Sequence, residues 1–188
     1  MSAATKLAML AGILIVVTCN IAKAEDNPRQ VFEWMKQLEG HWSLSPADQQ
    51  EGGASQHPVV SPFVGTSDNA IVFSLVGARS AIHEDLLPGT AKQMATMYHC
   101  GDVECTAVEA THYCTKQNQP EFMASLDSTS SQIVFDCDMS TELCQSWDDH
   151  IHRITHELTQ GGQHLKTTYS SFMNGEHNKD TIYHFDRK

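Results

Sequence analysis

The stretch Met94–Pro120, MATMYHCGDVECTAVEATHYCTKQNQP, contains two strand-like runs separated by a turn. The turn, Gly101–Glu104, lies between Cys100 and Cys105. We expect these two cysteines to face each other, which would fix the register of a β-hairpin.

The predicted register pairs Tyr98 with Ala107, and the alternation of side chains then divides the hairpin into two faces. The more apolar face is assigned to the core of the protein. It comprises Ala95, Met97, His99, Val108, Ala110, His112 and Cys114. The prediction therefore places His112 and Cys114 side by side on an inner surface.

Short strand-like runs separated by turns continue along the chain. A short amphipathic helix is predicted before them, over Pro28–Leu38, with Asn27 as its N-cap. Pro46–Pro62, rich in Gln, Gly, Ser and Pro, is predicted to be a loop long enough to form a lid. Asn174-Gly175 between two long runs is a strong hairpin signal. Nine or ten strands after one helix predict an all-β fold, either an antiparallel up-and-down barrel or a sandwich.

The first 24 residues have the pattern of a cleaved signal peptide. Lys6 gives a basic n-region, Leu7–Val17 is an apolar h-region, and Ala22-Lys23-Ala24 is a small-x-small cleavage site. We therefore expect an exported protein, periplasmic or secreted, in which residues 25–188 form one domain. No second apolar run is long enough to cross a membrane.

Charge disfavours some partners. Removal of the predicted leader leaves 12 − 2 = 10 Lys and Arg against 23 Asp and Glu, which is a net charge of −13. Such a surface repels nucleic acid and anionic lipid, so neither is an expected partner.

Five cysteines follow the predicted leader, and an oxidising compartment favours local pairs. Cys100–Cys105 would close the hairpin turn, and Cys137–Cys144 would close the loop Asp138–Leu143. Cys114 is then unpaired, and it is either buried and inert or chemically used. Other pairings stay open, because five cysteines allow many.

A second informative strand is predicted over His150–Thr159. Strict alternation places one set of side chains on its inner face, namely His150, His152, Ile154, His156 and Leu158. His-x-His on one strand lets two imidazoles converge on one ion. With His112 and Cys114 from the hairpin, His150 and His152 would form a nitrogen and sulfur site suited to zinc, copper or haem iron. The alternative is a polar lining without metal, in which these side chains bond one another and a few waters.

Several short motifs occur in order along the chain: Leu38-Glu39-Gly40-His41-Trp42, Pro88-Gly89-Thr90, Met94–His99, Thr111–Cys114, Asn118–Pro120 and His150–His152. The first is similar to the Leu-x-Gly-x-Trp opening of lipocalin-like and nitrobindin-like barrels. The others together resemble a family of small bacterial barrel proteins of unknown function. The resemblance spans most of residues 31–187 and implies a single calycin-type barrel with an internal cavity, without implying a reaction. Haem binding in nitrobindins is an analogy at the level of the fold.

The sequence favours a binding protein over an enzyme, since it has no Gly-x-Ser-x-Gly elbow and no Walker-type loop. We expect a small, mostly apolar ligand inside the barrel. The residues predicted to contact it are Met97, His112, Cys114, Asn118, His150 and His152. One alternative is a protein that binds a metal or haem through His112, Cys114, His150 and His152, with or without catalysis. Another is an exported interaction domain with no ligand in its cavity.

Overall fold

A computed structural model describes residues 27–49 and 53–188, so the predicted leader lies outside the described residues. The described chain begins with helix α1 (Pro28–Met35), which continues as a 3-10 turn to Leu38. Oδ1 of Asn27 accepts a hydrogen bond of 3.0 Å from Arg29 N. Pro28 occupies the first turn, where its missing N–H loses no helical bond. The predicted helix and its N-cap are therefore confirmed.

Ten strands follow and close into one antiparallel barrel. They are β1 (Gly40–Leu44), β2 (Ile71–Val76), β3 (Ala81–Leu86), β4 (Met94–Cys100), β5 (Val108–Tyr113), β6 (Glu121–Ala124), β7 (Gln132–Cys137), β8 (His150–Thr159), β9 (His164–Met173) and β10 (Glu176–Arg187). Each strand pairs with its neighbours in sequence, and β1 completes the circle by pairing with both β2 and β10. The predicted up-and-down barrel is confirmed, and closure of the sheet excludes the sandwich.

The alternating strand direction gives the barrel two different ends. The turns that follow even-numbered strands meet at one end, which α1 closes. Phe32, Met35 and Leu38 are buried there, and Arg29 donates to two backbone carbonyls in the turn between β4 and β5. The odd-numbered strands end at the opposite side, which we call the mouth.

The segment after β1 covers the mouth, and we call residues 53–60 the roof. The buried Asp48 ties the roof to the barrel, because its Oδ1 accepts from His184 N at 3.0 Å and its Oδ2 from Ser55 N at 2.8 Å. Gly53 lies so close to the carbonyl oxygen of Ile182 that a Cβ would come within 2.7 Å of it. The predicted loop is thus held in place by specific contacts and includes short 3-10 turns.

The hairpin of β4 and β5 has a longer turn than the sequence predicted. Tyr98 pairs with Ala110 and not with Ala107. The turn extends to Ala107, whose carbonyl oxygen accepts from Gly101 N at 3.0 Å. Cys105 lies within it in a left-handed conformation with φ of 56°. The predicted register is therefore wrong by three residues.

A register shift by an odd number reverses the faces of one strand relative to the other. On β5 the prediction is right, since His112 is buried and points inward. On β4 it is wrong, because Thr96 and Tyr98 are the buried residues. The predicted inward residues of that strand face outward instead: Ala95, Met97 and His99. Met97 therefore cannot contact a ligand inside the barrel as predicted.

A β-bulge interrupts β8 between Ile151 and Arg153, and the extra residue is His152. A bulge breaks the alternation of side chains. His150 pairs with the outward-facing Phe172, so it lies on the outer wall, whereas Ile151 faces the interior. The prediction of one inner face carrying His150, His152 and His156 is therefore wrong, and only His156 of the three lies inside the barrel.

Both predicted disulfides form, Cys100–Cys105 and Cys137–Cys144, and Cys114 is a free cysteine. Each disulfide fixes a turn next to a strand end. Within residues 27–49 and 53–188, no helix has the length and apolar character that crossing a membrane requires.

Candidate functional site

A row of polar side chains crosses the inner wall of the barrel. The strand register places Glu84 of β3 beside Thr96 of β4, and Thr96 beside His112 of β5. All three side chains are fully buried. Glu84 lies two residues from both Ile82 and Leu86, so the alternation that buries those two apolar side chains also buries the carboxyl group.

Three hydroxyl groups donate to the Glu84 carboxyl group. Tyr98 reaches Oε2 at 2.6 Å, Tyr169 reaches Oε1 at 2.6 Å, and Thr96 reaches Oε1 at 3.2 Å. Burial raises the pKa of Glu84 above its usual value, and the three hydrogen bonds oppose this by favouring the charged form. The carboxyl group is thus fully buried and accepts three hydrogen bonds.

His156 extends the network toward β9. The Tyr98 hydroxyl gives its proton to Glu84, so Nε2 of His156, 2.9 Å from the Tyr98 oxygen, is the donor of that second bond. Nδ1 then accepts from the Thr167 hydroxyl at 3.0 Å. Burial lowers the pKa of His156 to about 3, so the ring is neutral at pH 7, as one donor and one acceptor nitrogen require.

His112 extends the network toward the mouth. Because the Thr96 hydroxyl donates to Glu84, Nδ1 of His112 donates to Thr96 at 2.9 Å and Nε2 carries a lone pair. Burial lowers the pKa of His112 to about 4, which keeps the ring neutral. Its buried Nε2 has no hydrogen-bond partner in the part of the chain that the structure describes.

A cavity of about 440 Å³ lies between this network and the roof. Its apolar walls are formed by Ala54, Pro58, Val60, Leu87, Met94 and Ile151. Tyr169 and Tyr183 line it from the barrel side, and the Tyr169 hydroxyl also bonds Glu84. Two other depressions lie beside α1 and on the outer wall next to His152. The mouth cavity is joined to the buried network through Tyr169, which belongs to both.

His112 lies directly behind the wall of this cavity. Cys114, two residues further along the same inner face, lines the cavity. Tyr169, whose ring centroid is 5.8 Å from that of His112, lines it as well. The unpaired Nε2 of His112 is therefore a hydrogen-bond acceptor behind the residues that line the cavity.

Lysines surround the cavity, although the chain has a net charge of −11. Lys92, Lys116 and Lys179 line it, together with the single carboxylate of Asp180. Lys116 forms an ion pair with Asp149. Neither Lys92 nor Lys179 has a carboxylate oxygen within 4.0 Å among residues 27–49 and 53–188. The cavity rim is therefore locally basic.

The structure separates the residues that the sequence assigned to one site. Cys114 and His112 belong to the cavity and its wall. Asn118 holds the β5–β6 turn to the loop before β8, by donating from Nδ2 to a backbone carbonyl at 3.0 Å. His150 and His152 lie on the outer wall, where Cys137 joins them: one ligand atom from each of these three residues lies within 4.8 Å of the others. The predicted metal set of His112, Cys114, His150 and His152 is thus not brought together.

Sequence reasoning missed the centre of the network. Glu84 did carry a signal, since it lies two residues from both Ile82 and Leu86 and therefore on the same strand face as these apolar residues. Tyr98 was assigned to the wrong face by the incorrect register. Tyr169 had no local signal, because the contact that gives it a role joins it to Glu84 across 85 residues of sequence.

These features define a closed ten-stranded barrel with one capped end, a carboxyl-centred polar network inside, and a cavity at its mouth. Comparison with known family models, with curated proteins and with solved structures gave no significant match. The resemblance to calycin-type bacterial barrels stays a prediction.

Proposed function

We propose that this chain is an exported protein that binds a small, mostly apolar molecule in the mouth cavity. The observation that carries the proposal is the cavity of about 440 Å³, with apolar walls and a few polar groups on one side. Small-molecule sites are typically concave, mostly apolar and roughly 300–1,000 Å³ in volume. The two disulfides and the predicted leader support export.

The basic rim favours a ligand with an anionic end. Lys92 and Lys179 have no carboxylate partner within 4.0 Å in the described ranges and can pair with such a group. An exposed ion pair contributes about 0–1 kcal/mol, whereas each buried methylene contributes about 0.8 kcal/mol. The apolar walls therefore supply most of the affinity, and the lysines orient the ligand.

The first test is native mass spectrometry of the protein purified from its export compartment. We expect an excess mass from an organic molecule, which disappears on denaturation and identifies the ligand by its mass. The second test is titration with 1-anilinonaphthalene-8-sulfonate, an apolar fluorophore that carries one sulfonate.

Matched variants distinguish cavity binding from surface binding of this fluorophore. Ile151→Trp fills the cavity and should reduce affinity at least tenfold, whereas Leu126→Trp, at a fully exposed position at the closed end, should leave it unchanged. Replacing Lys92 and Lys179 by alanine should weaken binding, and Lys36→Ala near α1 should not. Equal affinity of the Ile151→Trp and Leu126→Trp variants, with no organic excess mass, would overturn the proposal.

A further inference from the structure

The bulge in β8 brings two histidine rings together on the outer wall. Nε2 of His150 lies 3.0 Å from Nδ1 of His152. Nδ1 of His150 lies 2.7 Å from the carbonyl oxygen of Asp148, which can only accept, so this nitrogen is protonated and Nε2 carries the lone pair. A metal-binding histidine commonly has this arrangement, with its second nitrogen donating to a backbone carbonyl.

Cys137, at the end of β7, is the third candidate ligand. Its Sγ lies within 4.8 Å of one nitrogen of each histidine ring, and those two nitrogens lie within 4.8 Å of each other. In the structure this sulfur is bonded to Cys144, so it is not a thiolate. The state of the disulfide therefore decides whether the cluster offers two ligands or three.

We propose that reduction of the Cys137–Cys144 disulfide converts Cys137, His150 and His152 into a binding site for a borderline-soft divalent cation of the Zn²⁺ type. A dithiol supplies two electrons and two protons, breaks the S–S bond to give two thiols, and is itself oxidised to a disulfide. The cation then replaces the proton on the Cys137 thiol. His152 loses the proton on Nδ1 to solvent and gains one on Nε2, so one proton is released overall.

The distances between the ring nitrogens and the Cys137 sulfur suit a tetrahedral Zn²⁺ ion. Zinc bonds of about 2.0–2.1 Å to nitrogen and about 2.3 Å to sulfur place tetrahedral ligand atoms roughly 3.3–3.6 Å apart. The two ring nitrogens, at 3.0 Å, are close to this spacing. The Cys137 sulfur lies within 4.8 Å of a nitrogen of each ring, so it needs a shift of at most about 1.2 Å, which loss of the S–S bond permits. Cys137 and His152 also line a surface depression, so the cluster borders solvent on one side.

The test uses two cysteine variants that each free one thiol without a reductant. Cys144→Ser leaves Cys137 as a thiol beside the histidines, and Cys105→Ser leaves Cys100 as a thiol at the opposite end of the barrel. In competition with a chelating dye, Cys144→Ser should bind one Zn²⁺ at least tenfold more tightly than the oxidised wild type or Cys105→Ser. Adding His152→Ala to Cys144→Ser should abolish the gain.

Co²⁺ gives a direct readout of the sulfur ligand. A thiolate-to-cobalt absorption band in the near ultraviolet should appear with Cys144→Ser and not with Cys105→Ser. Equal Zn²⁺ affinity of the two variants, or an unchanged affinity after His152→Ala, would overturn the inference.

A second measurement covers the case in which Cys144→Ser does not fold. The wild type is reduced with a dithiol and alkylated with iodoacetamide, with and without Zn²⁺. We expect Zn²⁺ to slow alkylation of Cys137 at least tenfold more than alkylation of Cys144. Equal rates for the two cysteines would contradict the proposed site.

Discussion

The Tyr169→Phe substitution should destabilise the wild type but stabilise a variant in which Glu84 is replaced by leucine. In the wild type the Tyr169 hydroxyl donates to Glu84 Oε1 at 2.6 Å, and the tyrosine is 2% exposed. In a Glu84→Leu variant this hydroxyl loses its acceptor. In the wild type, Tyr169→Phe therefore removes a hydrogen bond. In Glu84→Leu, it removes a buried hydroxyl group that has lost its acceptor.

The size of each change in the free energy of unfolding depends on whether the Tyr169 hydroxyl has an acceptor. A buried hydrogen bond contributes about 0.5–1.5 kcal/mol, or about 1.5–3 kcal/mol to a charged group, so Tyr169→Phe should lower the free energy of unfolding of the wild type by about 1–2 kcal/mol. An unsatisfied buried hydroxyl costs about 1–3 kcal/mol, so the same substitution should stabilise Glu84→Leu by that amount. The hydroxyls of Tyr98 and Thr96 still have His156 and His112 as acceptors, provided that the rings change tautomer.

Equilibrium unfolding in urea at pH 7, with disulfides intact, measures all four proteins of this double-mutant cycle. Tryptophan fluorescence can follow it, because Trp34 and Trp42 are buried near the closed end. Tyr183→Phe is the matched control. Tyr183 borders the same cavity and packs edge-on against Tyr169, but its hydroxyl has no hydrogen bond to Glu84. It should give the same small effect in both backgrounds.

A destabilising Tyr169→Phe in both backgrounds would refute the reasoning, since it would mean that the hydroxyl finds another acceptor, such as water in the cavity. Glu84→Gln separates loss of the acceptor from loss of charge. The amide keeps an oxygen for Tyr169, so Tyr169→Phe should remain destabilising in that variant.

Three further predictions concern other parts of the molecule. The pKa of His156 falls from 6.5 to about 3 on folding, so its stabilising contribution is complete above pH 6.5 and lost as the pH falls. Between pH 6 and 4, the free energy of unfolding should therefore fall less steeply in His156→Gln than in the wild type, by up to about 1.4 kcal/mol per pH unit in urea titrations. An equal pH dependence in the two proteins would contradict a buried, neutral His156. Asp48→Ala removes both acceptors that hold the roof and should weaken fluorophore binding in the cavity, whereas Asp48→Asn, which keeps one, should have a smaller effect in the same titration. Replacing Cys137 and Cys144 together by serine should lower the free energy of unfolding by about 2–3 kcal/mol, as expected for a short closed loop, and a loss below about 1 kcal/mol would mean that the reduced loop stays ordered.

Features that depend on neighbours in sequence could be predicted. Asn27 and Pro28 specify the start of α1 through local backbone bonds and a fixed φ angle. Asn174 and Gly175 both adopt positive φ, at 58° and 76°, as a tight hairpin turn requires. The short spacings of the paired cysteines likewise kept each disulfide within one turn. Strand number and fold class followed from these local signals together with periodicity.

Features that depend on a single residue of register could not be predicted. The turn between β4 and β5, which contains the left-handed residue Cys105, is longer than predicted. The predicted faces of β4 were therefore reversed, and Tyr98 was left out of the predicted interior. The candidate site was therefore recovered only in part. His112, Cys114 and His156 were assigned to the interior correctly. Glu84 was missed because two of its donors lie on β4, whose faces were misassigned, and the third lies on β9, which the sequence does not show to be close.

The bulge at His152 shapes both proposed sites. Strict alternation along β8 would have added the rings of His150 and His152 to an interior that already holds Glu84, and would have turned Ile151 outward. The extra residue instead leaves Ile151 as an apolar wall of the cavity and places the two imidazoles together on the outer face of the barrel wall, where His150 is buried and His152 is half-buried. An apolar cavity and a nitrogen pair on the outer wall are therefore two consequences of one backbone irregularity. Because the wall separates them, Ile151→Trp should alter fluorophore binding alone, and Cys144→Ser should alter Zn²⁺ binding alone.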